Sequence, residues 1–144
     1  MKTVKDILNE KGAAVITINQ KQTVYEALTQ FASAGIGALV VVDDQGTVVG
    51  MLSERDYARK VILKGMSSLN TSVKEIMTEL VCYVHPEQSV DECMALVTEK
   101  RFRHLPVMDN GELLGLVSIG DLVKASISEK EFLINQLTHY IKSG

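Results

Sequence analysis

The chain has 144 residues, 46% of them hydrophobic and 23% charged, with a formal net charge of −3. That length holds one respectable core, whereas two separate cores would each be small. The acidic balance excludes a general attraction to nucleic acid or anionic membrane, so any basic site must be local. No apolar run approaches the roughly 20 residues of a membrane span, and the N-terminus lacks a secretory hydrophobic region, so a cytoplasmic protein is expected.

Taken in chain order, the residues describe one unit and then describe it again. TVKDIL (Thr3 to Leu8) returns as SVKEIM (Ser72 to Met77). A brief strand is expected at Val15 to Ile18, matched by Val81 to Val84. Thr23 with Glu26, and Ser89 with Glu92, are capping boxes that start helices. Behind them Val24, Ala27, Leu28 and Phe31, and in the second copy Val90, Cys93, Met94 and Val97, recur at helical spacing and give each helix one apolar stripe. Short β-branched runs follow at Leu39 to Val42 and Leu105 to Met108. Each is closed by a turn, DDQG or DNG, and then by TVVGMLS or ELLGLVS, so each reads as a hairpin. A second helix follows each hairpin, with Tyr57, Val61 and Ile62 in one copy and Leu122 and Val123 in the other available to pack on the sheet.

The most exact part of the repeat is GTVVGMLSERDYARK, from Gly46 to Lys60, against GELLGLVSIGDLVKA, from Gly111 to Ala125, at an offset of 65 residues. Duplicated supersecondary units bury their apolar faces against neighbouring copies, and function is expected where copies meet. The predicted organisation is therefore repeat 1 over 1–64, a Gly, Ser and Asn rich linker over 65–71, repeat 2 over 72–127, and a tail over 128–144. In the tail, Ser128 and Glu131 form another capping box, and Phe132, Ile134, Leu137, Tyr140 and Ile141 give a mostly apolar C-terminal helix that must cover the module or a second chain. Cys82 and Cys93 lie in apolar patterns without metal-ligand spacing and are expected to be buried thiols.

The paired β-α-β-β-α units, RFRHLPVMDNG (Arg101 to Gly111), and the two endings GMLSERD (Gly50 to Asp56) and GLVSIGD (Gly115 to Asp121) resemble the cystathionine β-synthase (CBS) domain pair, or Bateman module. The likeness covers about residues 1–127, and two copies in tandem make it far more specific than either motif alone. It implies an α+β fold in which tandem repeats related by a pseudo-twofold axis bind adenosine-containing ligands (AMP, ADP, ATP, NAD or S-adenosylmethionine) in the clefts between them, here with an added C-terminal helix. It also implies a regulatory, energy-sensing role without catalysis or a catalytic cofactor, and a homodimer.

The two endings carry their own chemistry. A helix N-terminus exposes unpaired N–H groups and attracts phosphate oxygens, and a carboxylate there can hold both hydroxyls of a ribose. The resemblance assigns the ribose to Asp56 and Asp121, with Ser53 and Ser118 near ribose or phosphate. Ser-x-x-Asp is also a capping pattern, and the two roles can coexist. Arg103 and His104 match family positions that reach ligand phosphates, whereas the first repeat has Gly37 and Ala38 there, leaving room but no charge; Arg55 and Arg59 are the cations on that side. Lys100 and Arg101 read as a solvated helix end. Adenine is expected near Val15 and Ile16, or near Val81 and Cys82, with Met51, Leu52, Leu116 and Val117 as walls. The asymmetry leaves open one ligand, two, or one dinucleotide spanning both clefts.

An enzyme is not expected. His85, His104 and His139 are scattered, no nucleophile and base can be assembled around them, and neither a P-loop nor GxGxxG occurs. A zinc site from Cys82, His85, Cys93 and His104 fails because strand alternation sends Cys82 and His85 to opposite faces. The predicted function is a stand-alone nucleotide sensor read by another copy or by an unknown protein partner. The alternative is an interaction scaffold with vestigial clefts.

Overall fold

In the computed structural model, which describes residues 1–79 and 82–143, the elements run in chain order α1 (Val4–Lys11), β1 (Thr17–Asn19), α2 (Val24–Ala34), β2 (Ala38–Val42), β3 (Val48–Ser53) and α3 (Glu54–Tyr57), which a π-helical turn over Ala58–Ile62 continues. Then follow α4 (Val73–Ile76), β4 (Thr78–Glu79), α5 (Val90–Lys100), β5 (His104–Asp109), β6 (Glu112–Ser118) and α6 (Ile119–Ser143). These form two compact units, Ala14–Cys82 and Met1–Ala13 with Tyr83–Gly144.

The unit Ala14–Cys82 is built on a sheet of order β1-β2-β3-β4, with β1 parallel to β2 and the other pairs antiparallel. Its first strand lies two residues later than the apolar run predicts, because Val40 donates to the Ile16 carbonyl while the paired register begins at Thr17. The Thr23 capping box is formed. Val24, Ala27 and Phe31 are buried with Leu39, Val41, Leu52 and Val61, and Leu28 and Tyr57 pack against that cluster. Ile62, expected on the sheet, is instead exposed, because the chain turns out of the π-helical segment there. The predicted linker is part of this unit: Thr71 and Ser68 carbonyls accept from the first-turn N–H groups of Val24 and Tyr25, and Thr71 is buried with its hydroxyl on Ser67.

The other unit contains the hairpin β5-β6, which turns through Asn110 and Gly111, both at positive φ as a two-residue hairpin loop requires. Val84 meets Val107 in an isolated parallel bridge, the whole of the expected strand over 81–84 that is formed among the described residues; Val81 lies outside them. The Ser89 capping box is formed, and Val90, Cys93 and Val97 are buried. Cys82, expected to be buried like Cys93, is only half-buried. Leu122 is buried, whereas Val123 is exposed.

Two features depart from the repeats read in the sequence. The first is that each opening helix sits with the opposite repeat. Thr3 bridges to Ser89, Val4 N–H donates to the Gln88 carbonyl and Lys5 N–H to Pro86, each at 2.9 Å. In the same way Ser72 bridges to Thr23, and Val73 and Lys74 donate to Gln22 and Gln20 at 2.8 and 3.0 Å. Both helices have complete capping boxes, Thr3 with Asp6 and Ser72 with Glu75. The glycine of each strand ending admits its visitor: a Cβ on Gly115 would lie 2.8 Å from Leu8 Cδ2, and one on Gly50 would lie 2.6 Å from the Thr78 carbonyl oxygen.

The second departure is at the C-terminus. The helix expected to start at Ser128 is the continuation of α6, which runs 25 residues without a break. No Gly or Pro lies between Gly120 and Ser143, so nothing in the chain stops the helix before the Ser128 cap could start a new one. Ser128 instead accepts a long hydrogen bond from Lys2 Nζ, 3.4 Å. From Glu131 to His139 every residue is exposed; the side chain of Tyr140 lies outside the described residues.

Candidate functional site

The sheet register aligns the two predicted phosphate positions. His104 stands opposite Ser118 across β5-β6, as Ala38 stands opposite Ser53 across β2-β3. The residue before each also matches: the Arg103 carbonyl accepts from Ile119 N–H at 3.0 Å, and the Gly37 carbonyl accepts from Glu54 N–H at 3.2 Å. Equivalent backbone pairing thus presents Arg-His in one unit and Gly-Ala in the other, and the difference in charge lies in the side chains.

Both predicted ribose carboxylates are N-terminal helix caps. Asp56 Oδ2 accepts from the Ser53 backbone N–H at 2.9 Å and from its hydroxyl at 3.1 Å; Asp56 Oδ1 takes a 3.4 Å bond from Thr78 Oγ1 and lies 3.5 Å from Lys60 Nζ. Asp121 Oδ2 accepts from Ser118 N–H at 2.9 Å and from Lys11 Nζ at 2.6 Å, and Lys11 Nζ also donates to the Leu116 carbonyl at 3.0 Å. Lys11 is a partner that the repeat could not disclose, because α1 reaches this unit from the far end of the sequence.

Beside Ser118 a recess of about 550 Å³ opens, lined by Arg101, Arg103, His104, Ser118, Ile119 and Gly120. That is within the range of small-ligand sites. It sits at the N-terminus of the 25-residue α6, where backbone N–H groups favour anions. Ile119 N–H is used by Arg103, and Asp121 N–H by Ser118 Oγ at 3.0 Å; among the described residues Gly120 N–H has no acceptor. The same holds for charge: among the described residues neither Arg101 nor Arg103 is in an ion pair.

Of the predicted residues, the recess brings together Arg103, His104 and Ser118; Asp121 does not line it. In the unit Ala14–Cys82, Ala38 is buried in β2, Gly37 and Ile16 are exposed and Val15 is half-buried; Arg55 and Arg59 are exposed. Arg101 is exposed at the end of α5, as expected of a solvated helix end, and it also lines the recess. The signal for it was in the repeat: Arg101 aligns with Gly35, and both hold the left-handed conformation, φ 59° and 64°.

Burial pushes the His104 imidazole below its ordinary pKa; Lys11 and Arg103 add to the shift and Asp121 opposes it. Burial of Asp121 favours its neutral acid, but the hydrogen bonds from Lys11 and the Ser118 N–H outweigh it and hold the carboxyl below its usual value. Both groups therefore bind protons more readily in the unfolded chain, so their contributions are complete above the unfolded pKa and are lost as pH falls through the folded one. We expect stability to drop in two stages on acidification, beginning below 6.5 for His104 and below 3.8 for Asp121. Urea unfolding of the protein and of His104→Gln across pH 8 to 5 checks the first stage: the variant should show the shallower slope, and equal slopes would exclude His104 as the source.

Two units of one build, grown from one duplicated sequence and each pairing a hairpin with a capped helix, define a tandem-repeat α+β module. The chain belongs to the CBS domain family, whose sequence model matches residues 4–63 and 73–128. It is 38% identical over 150 aligned positions to the mitochondrial CBS domain-containing protein CBSX3 of Arabidopsis thaliana, covering 99% of this chain and 73% of that protein. Among solved structures, a protein with CBS domains from Burkholderia ambifaria is 54% identical with a TM-score of 0.83, over 88% of this chain and 95% of that one. The hexameric CBS-CP12 protein of bloom-forming cyanobacteria is 27% identical with a TM-score of 0.77, over 85% and 70%. Proteins of this family are generally regulatory modules without catalysis, and their domains generally bind adenine-nucleotide-like ligands. Among the described residues no helix is long and apolar enough to cross a membrane.

Proposed function

We propose that this protein is a nucleotide sensor in which the recess at the start of α6 takes the phosphates of an adenine nucleotide (AMP, ADP, ATP or NAD). The observation that carries this reading is the convergence on one recess of Arg103, His104, Ser118 and Gly120, whose N–H has no acceptor among the described residues. Arg grips phosphate through two parallel charge-assisted bonds, and a bound phosphate favours the protonated form of the neighbouring imidazole. Asp121 serves as the ribose acceptor in the unit that holds the recess, where the sugar hydroxyls compete with or share Lys11, and Asp56 is its counterpart in the other unit. At the matching places of the unit Ala14–Cys82, Gly37 and Ala38 carry no charge, so the recess is the stronger phosphate site. Family membership, not geometry, supplies the adenosine.

Occupancy needs a reader, and we assign that role to another copy of the chain. In α6, Ile127, Ile134 and Ile141 recur every seven residues, with Val123 four residues before the first and Leu137 between the last two, the spacing of a helix-to-helix seam that Lys130 interrupts. Ile134, Leu137 and Ile141 are 62%, 63% and 75% exposed, an unpartnered apolar stripe of the kind that marks a contact surface. The hexameric state of the CBS-CP12 relative supports self-assembly. The same apolar helix favours the second reading, a scaffold that recruits a protein partner and has lost its ligand.

Titration of nucleotide-stripped protein with AMP, ADP, ATP, NAD and S-adenosylmethionine, with mass followed by sedimentation in the same samples, separates the two. A sensor binds at least one ligand at micromolar concentration and changes its association on binding, because only different affinities for two states make occupancy a signal. A scaffold assembles equally with and without every ligand.

A further inference from the structure

We propose that Arg101 is the second guanidinium of the recess and that it selects ligands carrying two or more linked phosphate groups over monophosphates. This rests on the reading of the recess as a phosphate site, and goes beyond it by naming the residue that sets the number of phosphates.

The backbone supplies the first argument. Arg101 closes α5 in the left-handed conformation, φ 59° and ψ 31°, a place that the first repeat fills with Gly35 at 64° and 36°. A residue with a Cβ is strained there, and glycine is the residue that relieves the strain. The second repeat keeps a long basic side chain at the strained position, whereas the first repeat has the residue that suits it. Such a choice fits a residue held for what its side chain does.

Charge supplies the second. Arg101, Arg103 and His104 line one recess with no carboxylate among the lining residues, and neither guanidinium is in an ion pair among the described residues. A single phosphate is satisfied by one bidentate Arg with His104, Ser118 Oγ and the Gly120 N–H. A second guanidinium two residues away repels the first until a further anionic group lies between them. The arrangement is therefore complementary to a di- or triphosphate chain, with Arg103 and His104 on the phosphate nearest α6 and Arg101 on the next one out.

The test compares Arg101→Gly and Arg101→Lys with the unaltered protein in metal-free buffer, using AMP, ATP and inorganic tripolyphosphate. Arg101→Gly removes the strain, so it should raise the melting temperature by about 2–4 °C while weakening ATP and tripolyphosphate by about 10-fold or more and AMP by less than about 3-fold. Arg101→Lys keeps the charge and the strain, so it should recover most of the ATP affinity at an unchanged melting temperature. If Arg101→Gly weakens AMP and ATP equally, or leaves both as they were, the selection role is overturned. Tripolyphosphate separates this inference from the adenosine reading: Arg101-dependent binding of tripolyphosphate alongside no nucleotide binding would retire the adenosine and keep the cation, and nucleotide binding indifferent to Arg101 would do the reverse.

Discussion

Removal of residues 1–13 is expected to unfold residues 83–144, a larger loss than any single substitution should cause. Val4, Ile7 and Leu8 are buried in that unit although they belong to the first repeat in sequence. Burial of three such side chains contributes about 5–9 kcal/mol at about 1.5–3 kcal/mol each, against a total stability of about 5–15 kcal/mol for a natural protein. Hydrogen bonds fall with them: Val90 at the start of α5 would lose the Lys2 carbonyl, and the carbonyls of Gln88 and Pro86 would lose their donors. Hydrogen exchange reads the result, with amides of α5, β5 and β6 losing protection in the shortened chain and regaining it when a peptide of residues 1–13 is added. A shortened chain that melts with the intact one, its β5 amides still protected, would show that α1 is dispensable.

Asp121→Ala should reduce nucleotide affinity by about 10–100-fold, the loss expected when a ligand forfeits charge-assisted hydrogen bonds of about 1.5–3 kcal/mol. It should also lower stability by about 1–2 kcal/mol, since the carboxylate caps α6 through the Ser118 N–H and Lys11 would lose its partner. The two effects are separable because they need different properties of one side chain. Asp121→Asn retains an oxygen that can accept from Ser118 N–H but has no charge and only one acceptor for a pair of hydroxyls. It should therefore restore part of the stability and little of the binding. An Asp121→Asn protein that binds nucleotide as well as the unaltered one would reduce Asp121 to a cap.

Much of this architecture was legible because its signals are local. Thr23 with Glu26 and Ser89 with Glu92 are three residues apart, and such pairs specify a helix start whatever the rest of the chain does; both formed. The DNG turn demands positive φ at Asn110 and Gly111, and it has them. Thr3 with Asp6 and Ser72 with Glu75 are signals of the same kind, and each starts a short helix. Arg101 shows how a repeat can be read further, since its alignment with Gly35 states the backbone conformation that makes an arginine there unusual.

The sequence by itself determined that two like units exist, where their helices start, which of them carries the basic residues, and to which family the chain is similar. Periodicity, capping and turn chemistry act over a few residues and are written side by side in the chain. Only the tertiary structure decided that each unit is completed by the other repeat's opening helix, that Lys11 reaches Asp121, that α6 passes through its internal cap, and that Arg101 joins Arg103 and His104 at one recess. Those outcomes depend on which surfaces bury the most apolar area and which charges end within hydrogen-bond reach, and Lys11 and Asp121 meet across 110 residues of sequence. No local pattern carries that distance.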